Sequence, residues 1–154
     1  MNRKHDVLFV CSGNVCRSPM AEYLFRHRLP GDTRWTVGSA GVSAMAGLPP
    51  SREAEEVLAE LGIALSRHRS RRMSRALVDA ATLIVVMTSA HRDRLRTIYP
   101  MGQDKVYLLR AFDPDTVRQD IDDPIGLSVD VYREIRDEID SALPGLQAFL
   151  ETLD

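Results

Sequence analysis

Apolar positions along this chain follow two rhythms. Short apolar runs at Val7 to Val10, at Thr82 to Met87 and within Lys105 to Leu109 read as strands, and Trp35 to Ala40 reads as another. The Thr82 to Met87 run has the composition of a strand buried on both faces. Elsewhere apolar residues recur at helical spacing. Ala21, Leu24 and Phe25 form the inner stripe of a helix from about Ser18 to Arg28, with Glu22, Arg26 and Arg28 facing outward. Ala54, Val57, Leu58 and Leu61 form the stripe of a second helix, capped by Ser51, running through Glu60 and stopped by Gly62. A short helix is expected over Met73 to Ala80, another over about Ala90 to Ile98, and a long closing helix from Ser128. Pro30-Gly31-Asp32 ends the first helix and Pro100-Met101-Gly102 breaks the fourth. Two stretches lie outside the pattern, the Gly41 to Pro50 loop, rich in Gly, Ala and Pro, and a polar loop from Asp113 to Leu127.

Strands alternating with helices at this spacing predict an α/β fold: a four-stranded parallel sheet with helices on both faces in a three-layer α/β/α arrangement, linked by right-handed crossovers. The chain has 154 residues, enough for one core, so residues 1–154 are expected to form a single domain. Ligands of such sheets bind beyond the carboxyl ends of the strands. Cys11 follows directly on the end of the first strand.

Composition excludes several classes. At 44% hydrophobic and 27% charged the chain is ordinary for a globular protein, and a net charge of −2 supplies no global basic field for nucleic acid. The start M-N-R-K-H-D enters a strand without an apolar signal core, and no apolar run reaches membrane-spanning length, so a cytoplasmic protein with no membrane association is expected. The two cysteines, Cys11 and Cys16, are too few for a disulfide framework or a zinc site, so no metal or cofactor is expected. They read better as a reactive pair.

The chemistry centres on Asp6 to Glu22. An apolar strand delivers Cys11 to a turn carrying Gly13 and Asn14, and Pro19 sits where a helix begins. The loop Ser12, Gly13, Asn14, Val15, Cys16 between Cys11 and Arg17 can curl so that its N–H groups and the helix's first turn converge on an anion. Arg17 offers a planar fork for two phosphoryl oxygens, and both the donors and the arginine stabilise a thiolate at Cys11. A cysteine alone is more often a small buried hydrophobe. C-x5-R-S placed between strand and helix joins nucleophile, anion clamp and helix terminus, and so predicts phosphoryl transfer to sulfur. That transfer needs a second group to protonate the leaving oxygen and then activate water. The acidic loop offers Asp113, Asp115, Asp120, Asp122 and Asp123.

Cys11 to Pro19 resembles the signature loop of the low-molecular-weight protein-tyrosine phosphatases, and the resemblance extends through Ser39-Ala40-Gly41, His68-x-Ser70-Arg71 and Asp123-Pro124. It implies Asp123 as general acid and base, with Pro124 biasing its backbone toward an extended form; Asp122 beside it is the nearest rival. It also implies a network in which Asn14, tolerant of left-handed geometry, is held by Ser39 and His68, while Ser18 donates to the thiolate. Alternatively, His68 is a surface histidine in the charged run Arg67 to Arg75, whose arginines are solvated or favour acidic partners. Many tyrosine-specific members carry aromatic residues after Asp-Pro, whereas Ile125-Gly126 follow here. The Asp-Pro-x-Gly-x-Ser pattern with Val129 to Tyr132 looks like the bacterial branch that includes protein-arginine phosphatases. In that branch a Thr stands at the position of Val15, so Val15 resembles the tyrosine phosphatases instead.

The expectation is therefore a protein phosphatase acting on phosphotyrosine through a phosphocysteine, with phosphoarginine as the alternative substrate. Its partner is a phosphorylated protein, and the chain is expected as a monomer or weak dimer. An arsenate reductase of the thioredoxin-linked kind would need further cysteines, and a non-catalytic phosphate-binding module would not need Cys11 with Asp123. Cys16, across the loop, is placed to form a disulfide with oxidised Cys11, unless it is only a packing residue.

Overall fold

Seven residues, His5–Cys11, form the central strand β1, and a parallel neighbour lies on each side of it. A computed structural model describes residues 5–29, 31 and 34–153. The other strands are β2 (Trp35–Gly41), β3 (Leu83–Val86) and β4 (Val106–Leu108), and the sheet order is β2-β1-β3-β4. The helices are α1 (Arg17–Arg28), α2 (Arg52–Ala59), α3 (Arg75–Ala80), α4 (Ser89–Ile98) and α5 (Val129–Glu151). Successive β1 side chains alternate between faces, so Val7, Phe9 and Cys11 join a core with α1, α2 and α5, while Leu8 and Val10 join one with α3 and α4. This is the expected three-layer parallel architecture. Because β1 pairs with β2 on one side and β3 on the other, the order reverses beside β1, and a crevice opens beyond its carboxyl end. Cys11 ends that strand.

Local chemistry explains most of the boundaries. Ser51 Oγ accepts from Ala54 N–H at 3.4 Å, Ser128 Oγ from Val131 N–H at 3.4 Å, and Gly62 turns the chain after α2 at φ 75°. The short helix begins at Arg75 rather than Met73, because Ser74 caps it and Met73 N–H donates instead to Gly41 O at 2.9 Å. Leu61 lies beyond the end of α2 and is exposed instead of completing its stripe. Glu22, expected on the outer face of α1, is buried, for a reason that belongs to the site below. The α1 helix ends at Arg28; Pro30 and Asp32 of the expected stop lie outside the described residues, as do Met1 to Lys4 of the N-terminal stretch. No described helix is long and apolar enough to cross a membrane.

Candidate active site

The loop after β1 is pinned by its carbonyl groups. Cys11 O accepts from Val42 N–H at 2.9 Å, Ser12 O from Ser43 N–H at 3.0 Å, Asn14 O from His68 Nε2 at 2.7 Å and Val15 O from Ser51 N–H at 2.9 Å. A trans peptide points its N–H opposite its C=O. With these carbonyls tied to the surrounding loops, the N–H groups of Ser12, Gly13, Val15 and Cys16 turn the other way, toward the hollow of the loop, where α1 also begins. The hollow is a cleft of about 80 Å³ lined by Cys11, Gly13, Val15, Cys16, Arg17, Asp123 and Ile125.

Each expected residue has a definite place. Cys11 is buried, with Sγ 2.9 Å from Ser18 Oγ. Arg17 is buried, its Nη1 donates to Ile121 O at 2.7 Å, its Nη2 lies 3.7 Å from Asp123 Oδ2, and its Nε has no hydrogen-bond partner. Asp123 is half-exposed, and its Oδ1 accepts from Ile125 N–H at 3.1 Å, which turns the chain just past Pro124. Asp122 is paired with Arg118 at 2.9 Å. Of the two adjacent carboxylates, Asp123 is the one that reaches the arginine.

Asn14 holds the loop's shape. It is fully buried at φ 58°, a left-handed conformation that its surroundings must enforce. Its Nδ2 donates to Ser18 Oγ at 2.8 Å and to Ser39 Oγ at 3.0 Å, its Oδ1 accepts from Arg71 N–H at 2.9 Å, and its carbonyl accepts from His68. His68 is buried, not a solvated member of the basic run. Ser39 Oγ donates in turn to Glu22 Oε1 at 2.6 Å, and Arg26 pairs with Glu22 Oε2 at 2.5 Å. A carboxylate inside the fold needs such partners, and this is why Glu22 points inward. Gly41 closes the arrangement: a Cβ there would stand 2.4 Å from Ser12 O and 3.0 Å from Asn14 N.

Cys16 is buried and hydrogen-bonded, its Sγ 3.4 Å from Ser51 Oγ and 3.2 Å from Tyr132 Oη. Burial pushes its thiol pKa up, against the smaller opposing pull of these two bonds. Tyr132 Oη is pushed up as well, chiefly by burial. No described group of three or more His, Cys, Asp or Glu side chains is placed to hold a metal.

Several residues around the site were not foreseen. His91 Nε2 lies 2.8 Å from Ser12 Oγ, and the buried ring is pulled down to a pKa of about 4, first by desolvation and then by Arg17. Glu22, Arg71 and Tyr132 also enter the network. Local patterning carries no signal for them except at Glu22, where the Arg26 four residues on in α1 marks a possible ion pair.

The family described as low molecular weight phosphotyrosine protein phosphatase matches residues 6–154. A protein-arginine-phosphatase of Geobacillus stearothermophilus is 42% identical, with 96% of this chain and 97% of that protein covered. A probable low molecular weight protein-tyrosine-phosphatase, EpsP, of Ralstonia solanacearum is 36% identical, with 92% and 96% covered. A solved YwlE arginine phosphatase mutant with a phosphorylated active-site serine superposes at a TM-score of 0.85 and 36% identity, covering 95% of each chain.

Proposed function

This chain belongs to the low molecular weight phosphotyrosine protein phosphatase family, and from that premise we propose that it hydrolyses phosphotyrosine on proteins through a phosphocysteine formed on Cys11. The observation that carries the reading is the meeting of Cys11, Arg17 and Asp123 in one small cleft, under a loop whose N–H groups turn inward. The substrate's phosphoryl group sits in the loop. Arg17, anchored through Nη1, turns Nε and Nη2 to two of its oxygens. The Cys11 thiolate, stabilised by the Ser18 hydroxyl, attacks phosphorus; the P–O bond breaks, and the leaving phenolate takes a proton from Asp123. Water then attacks the phosphocysteine and gives its proton to Asp123; the S–P bond breaks, the thiolate is restored and inorganic phosphate leaves. Charge builds on the equatorial oxygens during each displacement, where the loop donors and Arg17 already point.

The substrate assignment rests on Val15, whose aliphatic side chain lines the cleft and resembles that of the tyrosine phosphatases. Phosphoarginine is the second reading. It is supported by the 42% identity to a protein named for that activity, and by the absence of an aromatic residue beside Pro124. A cytoplasmic location fits a mechanism that needs a reduced thiol. A single domain fits the packing of α5, from the chain's end, on α1 and α2.

The test replaces Cys11 with Ser: turnover of an aryl phosphate is lost while vanadate still binds. Turnover at the wild-type rate would remove the covalent step. Phosphotyrosine and phosphoarginine peptides of one sequence then decide the substrate, and a higher kcat/KM for phosphoarginine would overturn the tyrosine assignment.

A further inference from the structure

A second cavity, of about 490 Å³, is walled by α1, β2 and the segment 67–81, and shares no lining residue with the catalytic cleft. Its volume falls within the range typical of small-molecule sites. Two features set its character. It carries four arginines, Arg26, Arg67, Arg69 and Arg71, against two carboxylates, Asp6 and Glu22. Beside them lie apolar surfaces from Leu8, Val37, Leu77 and Ala81, and the ring of Tyr23. Room is made partly by Gly38, a strand position without a side chain, over which the Arg71 guanidinium passes: a Cβ there would stand 2.8 Å from Nη2.

The same walls hold the catalytic loop. Ser39, His68 and Arg71 all line the cavity, and between them they bond the Nδ2, the carbonyl and the Oδ1 of Asn14. The arginines that face a ligand are already committed to this support. Arg71 Nε donates to Ser39 O at 2.8 Å, and Arg26 donates to Val37 O at 2.7 Å while pairing with buried Glu22. The Arg26 side chain is nevertheless 51% exposed, within reach of an anion from solvent.

We propose that this cavity is a regulatory site for an organic anion of about nucleotide size, a molecule with an acidic head and an apolar body, and that occupying it slows the phosphatase. The head pairs with the guanidinium groups and the body lies on Leu8, Leu77 and Tyr23. Drawing Arg26 away leaves Glu22 a buried carboxylate with one partner fewer, and drawing Arg71 from Ser39 O loosens the residue that holds the Asn14 amide. Asn14 sits in a left-handed conformation that persists only while its surroundings enforce it, so the loop relaxes and its donors lose their aim. The effect falls on kcat/KM, because the same donors hold the substrate's phosphoryl group and the charge that builds on it during transfer.

The probe is 8-anilinonaphthalene-1-sulfonate, which joins a sulfonate to an aromatic body and fluoresces when bound. It should bind the intact enzyme at one site, and with the catalytic loop saturated by vanadate it should bind there more weakly by a fixed, saturable factor; in vanadate-free assays it should lower kcat/KM for an aryl phosphate several-fold. Two variants locate the site. Ala80→Trp fills the cavity from α3, and Arg67→Ala removes a cation outside the Asn14 network, whereas Arg69 donates to the His68 carbonyl and is left in place. Both should keep the uninhibited kcat and lose probe binding and inhibition. The proposal is overturned if rising vanadate weakens the probe without limit, as a competitor for one site would, if both variants bind it as the wild type does, or if it binds without changing kcat/KM. None of these outcomes depends on whether phosphotyrosine or phosphoarginine is the substrate.

Discussion

Gly41→Ala is the sharpest single test of how the catalytic loop is positioned. The residue ends β2 and touches no substrate, but the Cβ it would gain lies 2.4 Å from Ser12 O, 2.9 Å from Ala44 Cβ and 3.0 Å from Asn14 N. Two of these are backbone atoms of the loop, and no rotamer change moves them aside. A carbon rests against a carbonyl oxygen at about 3.3 Å or more, so either the loop or the strand must retreat by about 0.9 Å. The strand is held by its pairing with β1, Cys11 opposite Gly41, so the loop yields. A displacement of about 1 Å in a positioning element can cost on the order of 10²-fold in rate. Overpacking of this kind costs about 1–3 kcal/mol, which at about 2–4 °C per kcal/mol for a chain this size lowers Tm by about 2–12 °C. The assay is kcat for an aryl phosphate, measured well below the variant's Tm, with the melt followed by circular dichroism. Gly38→Ala on the same strand is the graded comparison: its Cβ meets only side-chain atoms, Arg71 Nη2 at 2.8 Å and Leu8 Cδ1 at 3.7 Å, so it presses on no backbone atom of the loop and should lower kcat less than Gly41→Ala. Wild-type kcat and Tm in Gly41→Ala would refute the claim that the β2 end sets the loop's position.

That contact illustrates which parts of the molecule the amino-acid pattern reveals. Ser51, Ser128 and Gly62 act on backbone groups within a few residues, so the starts of α2 and α5 and the turn after α2 are readable from the chain alone. Cys11 and Arg17 are also local, since both ends of the loop lie in one segment between strand and helix. Glu22 is different. Its neighbours in α1 place it on a polar face, and only the arrival of Ser39 from β2, with Arg26 beside it, makes an inward carboxylate tolerable. The pattern places a helix over Met73 to Ala80, but the carbonyl of Gly41 claims the Met73 N–H and the helix waits for Ser74. Asp122 and Asp123 are told apart in sequence only by Pro124 after the second; in the fold Arg118 takes the first and Arg17 faces the second. His91 and Tyr132 reach the loop from 79 and 116 residues away, distances over which periodicity and capping carry no information.

Three further outcomes are expected. Asp123→Asn should slow hydrolysis of substrates with poor leaving groups by about 10²–10⁴-fold and of good ones far less, since a good leaving group needs little protonation; if Asp122→Asn shows that signature instead, the acid is the neighbouring residue. Peroxide followed by a dithiol should restore most activity to the wild type and much less to Cys16→Ser, because Cys16 lines the same cleft as Cys11 and can trap its sulfenic acid; equal recovery would show that Cys16 is only a packing residue. The last concerns His91, whose ring is buried and whose pKa stands near 4. Desolvation and the Arg17 charge keep it neutral, while Asp120 and Asp123 pull weakly the other way. In the unfolded chain the imidazole returns to about 6.5, so between those values the unfolded state binds the extra proton. Stability from this group is therefore complete above about pH 6.5 and is lost as pH falls toward 4, by up to about 3.5 kcal/mol at about 1.4 kcal/mol per pH unit. The Tm of the wild type should fall over that interval more steeply than that of His91→Gln, which has nothing to protonate there. Parallel Tm profiles for the two proteins would mean that the imidazole is not held neutral beside Arg17.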